Sequence, residues 1–138
     1  MDIPGTVIDS IKEHEGFRGL QYLDHIGNPT IGYGTLLPIT MEEAELLLSH
    51  RLSAMIRELQ AAKPFIDGLP LDAKIVLLEM AYQLGVPKLL GFQRMWAAIE
   101  RGYFQGAGDE MLDSRWYQQT PHRARALSDR MKTATYHV

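Results

Sequence analysis

Two rhythms of hydrophobic positions divide the first sixty residues. Val7, Ile8 and Ile11 recur at helical spacing with Glu15 in register, predicting a helix that Thr6 caps with Asp9 in its first turn. Gly16 and Gly19 break it. Residues 20–24 and 29–33 are β-compatible runs around the turn signal Gly27-Asn28, so a two- or three-stranded antiparallel sheet is expected to about Leu37. Pro38 stops the sheet. Thr40 and Glu43 have capping-box spacing, and Ala44, Leu47, Leu48, Leu52, Met55, Ile56 and Leu59 carry an amphipathic helix to about Ala62. Its other face, Glu42, Glu45, His50, Arg51, Arg57 and Glu58, is a solvated one.

The second half is helical. Residues 64–70 read as a loop, and 73–84 (AKIVLLEMAYQL) are apolar almost all round, as in a buried central helix stopped by Gly85 and Pro87. Helices follow over 92–101, with Gly102 at the position after the cap, and over 104–113. Ser114-Arg115-Trp116-Tyr117 leads to Thr120-Pro121, a cap followed by proline at the first helical position, and the last helix runs to about Thr133. The expected fold class is α+β, mostly α: one domain with a small N-terminal antiparallel sheet and a helical remainder. Trp96, Trp116, Tyr117 and the seven methionines read as packing residues.

Composition narrows the chemistry. The 138 residues suffice for one domain with a real core, and the absence of cysteine excludes disulfides, thiolate zinc sites and thiol nucleophiles. A formal charge of −3 argues against nucleic acid as partner and offers no attraction to an anionic polymer. No apolar run reaches the ~18 residues of a membrane span. The first residues lack the basic and apolar regions of a signal peptide, which points to synthesis in a cytoplasm. His14, His25, His50, His122 and His137 show no metal-binding spacing, so neither metal nor cofactor is expected.

Candidate chemistry gathers in residues 15–34, EGFRGLQYLDHIGNPTIGYG. Glu15 closes a helix, Asp24 follows on an expected strand, and Thr30 opens a glycine-studded run ending at Gly34. Glycoside hydrolysis needs two carboxyl groups, one to protonate the leaving oxygen and one, ionised, to activate water or stabilise the developing cation. Glu15 and Asp24, held by different elements, can play such unlike roles. In a chain with 17 acidic residues, spacing alone leaves the solvated-surface reading open.

Glu15-Gly16, Tyr22, Asp24, Gly27 and Thr30-Ile31-Gly32-Tyr33-Gly34 together resemble the active-site segment of the phage-type lysozymes, glycoside hydrolase family 24. Glu, Asp and Thr fall at that family's intervals of nine and six residues. The run Ser114-Arg115-Trp116-Tyr117-Gln118-Gln119-Thr120-Pro121-His122-Arg123-Ala124 is similar to its C-terminal signature. Thr35 departs from the pattern, standing where many relatives have histidine.

The resemblance implies a lysozyme-like fold with a cleft between a sheet lobe and a helical lobe joined by a buried helix. It implies a muramidase that hydrolyses the β-1,4 bond between N-acetylmuramic acid and N-acetylglucosamine in a peptidoglycan glycan strand. Carried over by position, Glu15 is the general acid, Asp24 and Thr30 position the attacking water from the cleft wall, and Arg123 pairs with the catalytic Glu. Leu36 and Tyr82 match positions that line the sugar cleft. An inverting scheme follows, with a carboxyl separation of roughly 6.5–9.5 Å. The expected setting is a monomeric endolysin, made in the host cytoplasm and released to the wall through a separate pore, without membrane insertion. A tail-associated lysozyme is the alternative setting. A non-catalytic module that retains the fold to bind glycan or protein is the rival function, and the presence of Glu15, Asp24 and Thr30 together speaks against it.

Overall fold

A computed structural model describes residues 1–136. Two compact units divide it, residues 1–47 and the described residues from 48 on.

The first unit opens with α1 (Gly5–Glu15), in which Thr6 is an interior residue. Pro4, extended, takes the cap position, and the N–H of Val7 donates to its carbonyl at 3.0 Å, so the expected Thr6 cap is not formed. Gly16 ends the helix at φ +70°, its N–H donating to the Lys12 carbonyl at 2.9 Å. The chain turns into β1 (Arg18–Leu23), β2 (Pro29–Gly32) and β3 (Thr35–Leu36), an antiparallel sheet in that order. Tyr22 pairs with Thr30 and Thr30 with Leu36, while a register irregularity lies between Arg18 and Tyr22. The sheet ends at Leu36, one residue short of expectation.

From the first unit into the second runs α2 (Met41–Ala62). Its capping box forms as read. The Thr40 N–H donates to Glu43 Oε1 at 2.8 Å, and the Glu43 N–H donates to Thr40 Oγ1 at 3.1 Å. Its polar face is solvated, as the pattern predicts. Leu59 is the only buried residue of α2, because the apolar stripe finds packing partners near the helix's C-terminal end and not along its length.

A 3-10 turn over Pro64–Gly68 replaces the expected loop, burying Ile66. Beyond it, α3 (Leu71–Leu84) is the core helix, with Ala73, Val76, Leu77, Met80 and Ala81 buried. The short α4 (Val86–Leu90) was not legible in the sequence, because Pro87 reads as a stop yet sits in the first turn, where a missing N–H costs nothing. Next come α5 (Gln93–Glu100) and α6 (Phe104–Leu112). Ser114 caps a second unforeseen helix, α7 (Arg115–Gln119), through its Oγ and the Tyr117 N–H at 3.1 Å.

The last helix, α8 (Pro121–Lys132), starts at Pro121 as expected. The Thr120 hydroxyl caps nothing in it and instead donates to the Trp116 carbonyl at 3.1 Å. Close approach of α6 and α8 depends on Gly108. Its carbonyl accepts from the buried Ser128 hydroxyl at 2.7 Å, and a Cβ there would meet the Ser128 carbonyl at 2.8 Å. Met80, Met95, Met111 and Met131 fill this core with Trp96 and Trp116. Trp96 donates to the Leu89 carbonyl at 2.9 Å and Trp116 to Gln83 Oε1 at 3.0 Å, so neither indole nitrogen is buried unpaired.

Candidate active site

Within the first unit, Glu15, Asp24, Thr30 and Leu36 are set by the end of α1 and the small sheet. Glu15 is the last residue of α1 and is exposed. Its carboxylate lies against the turn after β2: a Cβ built on Gly34 would stand 2.6 Å from both Glu15 Cδ and Oε2. That turn is tied to α1 by Tyr33, whose ring meets Phe17 at 5.5 Å and has the Lys12 ammonium 5.4 Å from its centroid.

Asp24 is not on a strand, as the sequence suggested, but is the first residue after β1. The reason is its side chain, which organises the β1–β2 loop in place of a continuing ladder. Asp24 Oδ1 accepts the N–H of Asn28 at 2.8 Å and of Ile26 at 3.0 Å, and Oδ2 accepts the Asn28 side-chain amide at 3.3 Å. The Asn28 N–H is the chief reason the carboxyl is held below its ordinary value of 3.8. The other donors and the charge of His25 act in the same direction, against partial desolvation.

Thr30 is 2% exposed. On β2 its side chain is covered, and its hydroxyl donates to the Asn28 carbonyl at 2.8 Å. Asn28 thus joins the two groups, giving its N–H to Asp24 and its C=O to Thr30. Sequence reading passed over Asn28 as a turn residue. The signal for it was an Asp followed four positions on by Asn, with Gly between.

Arg123 and Tyr82 belong to the second unit, on α8 and α3. There Arg123 Nη2 lies 3.9 Å from Glu79 Oε1, one turn before Tyr82 on α3. Both partners are well exposed, so this is a loose ion pair. Glu79 was not singled out in the sequence, where it reads as the polar position of a buried helix. Tyr82 and Leu36 are both exposed, at 47% and 59%. An open cavity of about 720 Å³, also in the second unit, is lined by Phe92, Trp116, Lys88, Arg94, Arg115 and Glu110 among others. His137, one of the five histidines, lies outside the described residues.

The phage lysozyme family matches residues 12–133, nearly the whole chain. The chain belongs to that family. Membership places it among the muramidases. It is 25% identical over 162 aligned positions to "Probable T4-type lysozyme 1" of Dictyostelium discoideum, covering 94% of this chain and 95% of the relative. "Probable T4-type lysozyme 2" of the same organism is 24% identical, with 92% and 94% covered. The "Pre-baseplate central spike protein Gp5" of Enterobacteria phage T4 is 29% identical over 86% of this chain, which spans 26% of that protein's length.

Proposed function

We propose that this phage lysozyme family member hydrolyses the β-1,4 bond between N-acetylmuramic acid and N-acetylglucosamine in peptidoglycan, by inversion. Glu15 gives its proton to the glycosidic oxygen. A water held by Asp24 and Thr30 attacks the anomeric carbon from the opposite face and yields its proton to Asp24. Leu36 and Tyr82, each exposed, contact the sugars. No cofactor enters this scheme.

The observation that carries the reading is the Asn28 bridge. One residue fixes the Asp24 carboxylate at 2.8 Å through its N–H and the Thr30 hydroxyl at 2.8 Å through its C=O. The Thr30 hydroxyl spends its hydrogen on Asn28 and keeps lone pairs that can accept from a water. An ionised carboxylate beside a hydroxyl acceptor, both immobilised, is a fitting seat for a nucleophilic water.

The test is release of reducing ends from purified peptidoglycan by wild type and Glu15→Gln. Wild type should clear the substrate, and the variant should lose turnover by about 100-fold or more. No release by wild type would favour the non-catalytic binding module, and full activity in the variant would remove Glu15 as the acid.

For the setting, we propose a monomeric endolysin made in the host cytoplasm and acting on the wall after release through a separate pore. Similarity to two proteins named as probable T4-type lysozymes supports the enzyme reading. No helix among the described residues is long and apolar enough to cross a membrane, which fits a separate pore. Similarity to the spike protein supports the second setting, a lysozyme module of a phage tail.

A further inference from the structure

The geometry points to the turn Tyr33-Gly34 as the positioning element for the Glu15 carboxylate, a role that rests on the reading of Glu15 as general acid. Gly34 presents a bare Cα face to the carboxylate. A Cβ there would come within 2.6 Å of Cδ and Oε2 and 3.0 Å of Cγ, so glycine alone leaves the space in which Glu15 now sits. Tyr33 ties this seat to the end of α1 through Lys12, which precedes Glu15 by about one helical turn, and Phe17, which follows Gly16.

A comparison within the same turn separates seating from backbone strain. Gly32 and Gly34 have nearly the same positive φ, +69° and +73°, so alanine strains both alike. The new methyl meets different surroundings. At Gly32 its nearest neighbour is Thr35 Oγ1 at 4.0 Å, an ordinary contact. At Gly34 it meets the far end of a flexible side chain, which can swing away without unfolding anything. Gly34→Ala therefore displaces the acid from its place while costing the fold no more than Gly32→Ala does. Displacing a reacting group by about 1 Å lowers the chemical step on the order of 100-fold.

The experiment measures kcat and KM on soluble peptidoglycan fragments for wild type, Gly32→Ala, Gly34→Ala and Tyr33→Leu, with thermal unfolding of each. Gly32→Ala and Gly34→Ala should show similar melting temperatures. Gly34→Ala should lose kcat by about 10- to 100-fold with KM nearly unchanged, and Gly32→Ala should stay within about threefold of wild type. Tyr33→Leu, which leaves both glycines alone, should also lower kcat more than it changes KM. In a Glu15→Gln background, Gly34→Ala should remove nothing further, because the group it displaces is already absent.

Equal kcat for the two alanine variants overturns the proposal, as does an unfolded Gly34→Ala beside a folded Gly32→Ala. If both alanine variants fail to fold, Tyr33→Leu decides, and wild-type kcat there overturns it. Full activity of Glu15→Gln alone would instead overturn the assignment of the acid, so the two failures are told apart.

Discussion

Asp24 accepts three hydrogen bonds from its own loop, and these determine both where its charge sits and the pH at which it appears. Its carboxyl is lowered by the folded loop, chiefly by the Asn28 N–H. The loop stabilisation is therefore present above the unfolded value, near 3.8, and lost as pH falls through the lower folded value. A carbon-13 titration should place the Asp24 midpoint below 3.8, and a midpoint at or above it would contradict the loop geometry. Asp24→Asn keeps an oxygen acceptor for the two backbone donors, so the fold should survive. Turnover should fall by about 100-fold or more. Thr30 behaves differently because it is buried. Thr30→Ser retains the donor to Asn28, while Thr30→Val leaves that carbonyl only the Asp24 N–H at 2.9 Å and should cost about 1 kcal/mol in a denaturant titration as well as turnover.

At the scale of elements, local grammar governs the ends of helices and packing governs how closely they approach. The capping box at Thr40 and Glu43 was legible because both halves of it are local, three residues apart. At Thr120 the same kind of signal misled: its hydroxyl is taken up by Trp116, and α7 exists because Ser114 caps it. The α6–α8 crossing shows the other control. Gly108→Ala would press a methyl onto the Ser128 backbone carbonyl and the Lys132 side chain, and a backbone atom cannot swing aside. The variant should be destabilised by about 1–3 kcal/mol, measured by denaturant unfolding. Unchanged stability would mean that the helices are free to separate.

For the whole molecule, charge is the property that bears on the proposed substrate. A chain of formal charge −3 gains no long-range attraction to an anionic wall polymer. Raising ionic strength from about 0.01 to 0.15 M shortens the Debye length from ~30 to ~8 Å and screens mutual repulsion. The initial rate of wall clearing should therefore rise or stay level over this range. A steep fall would reveal a basic surface patch that outweighs the net charge. Stability has an uneven distribution as well. Every buried hydrophobic residue among those described, from Leu59 to Ala134, lies in the second unit, whereas the first unit is held by loop hydrogen bonds, sheet pairing and the Tyr33 contacts.

The α+β class, the strand pair around Gly27-Asn28, the capping box of α2, the core helix α3 and the spacing of Glu15, Asp24 and Thr30 were all written in the sequence. Each depends on residues close along the chain or on a period that one element imposes on its own side chains. The folded chain alone decided that α2 is mostly solvated and that Pro87 lies inside a helix. It also buried Thr30 and gave Asn28 and Gly34 their places beside Asp24 and Glu15. Those outcomes depend on which groups meet across a turn or between helices. A local pattern states what a residue can do, and the meeting of distant groups selects which of those things it does.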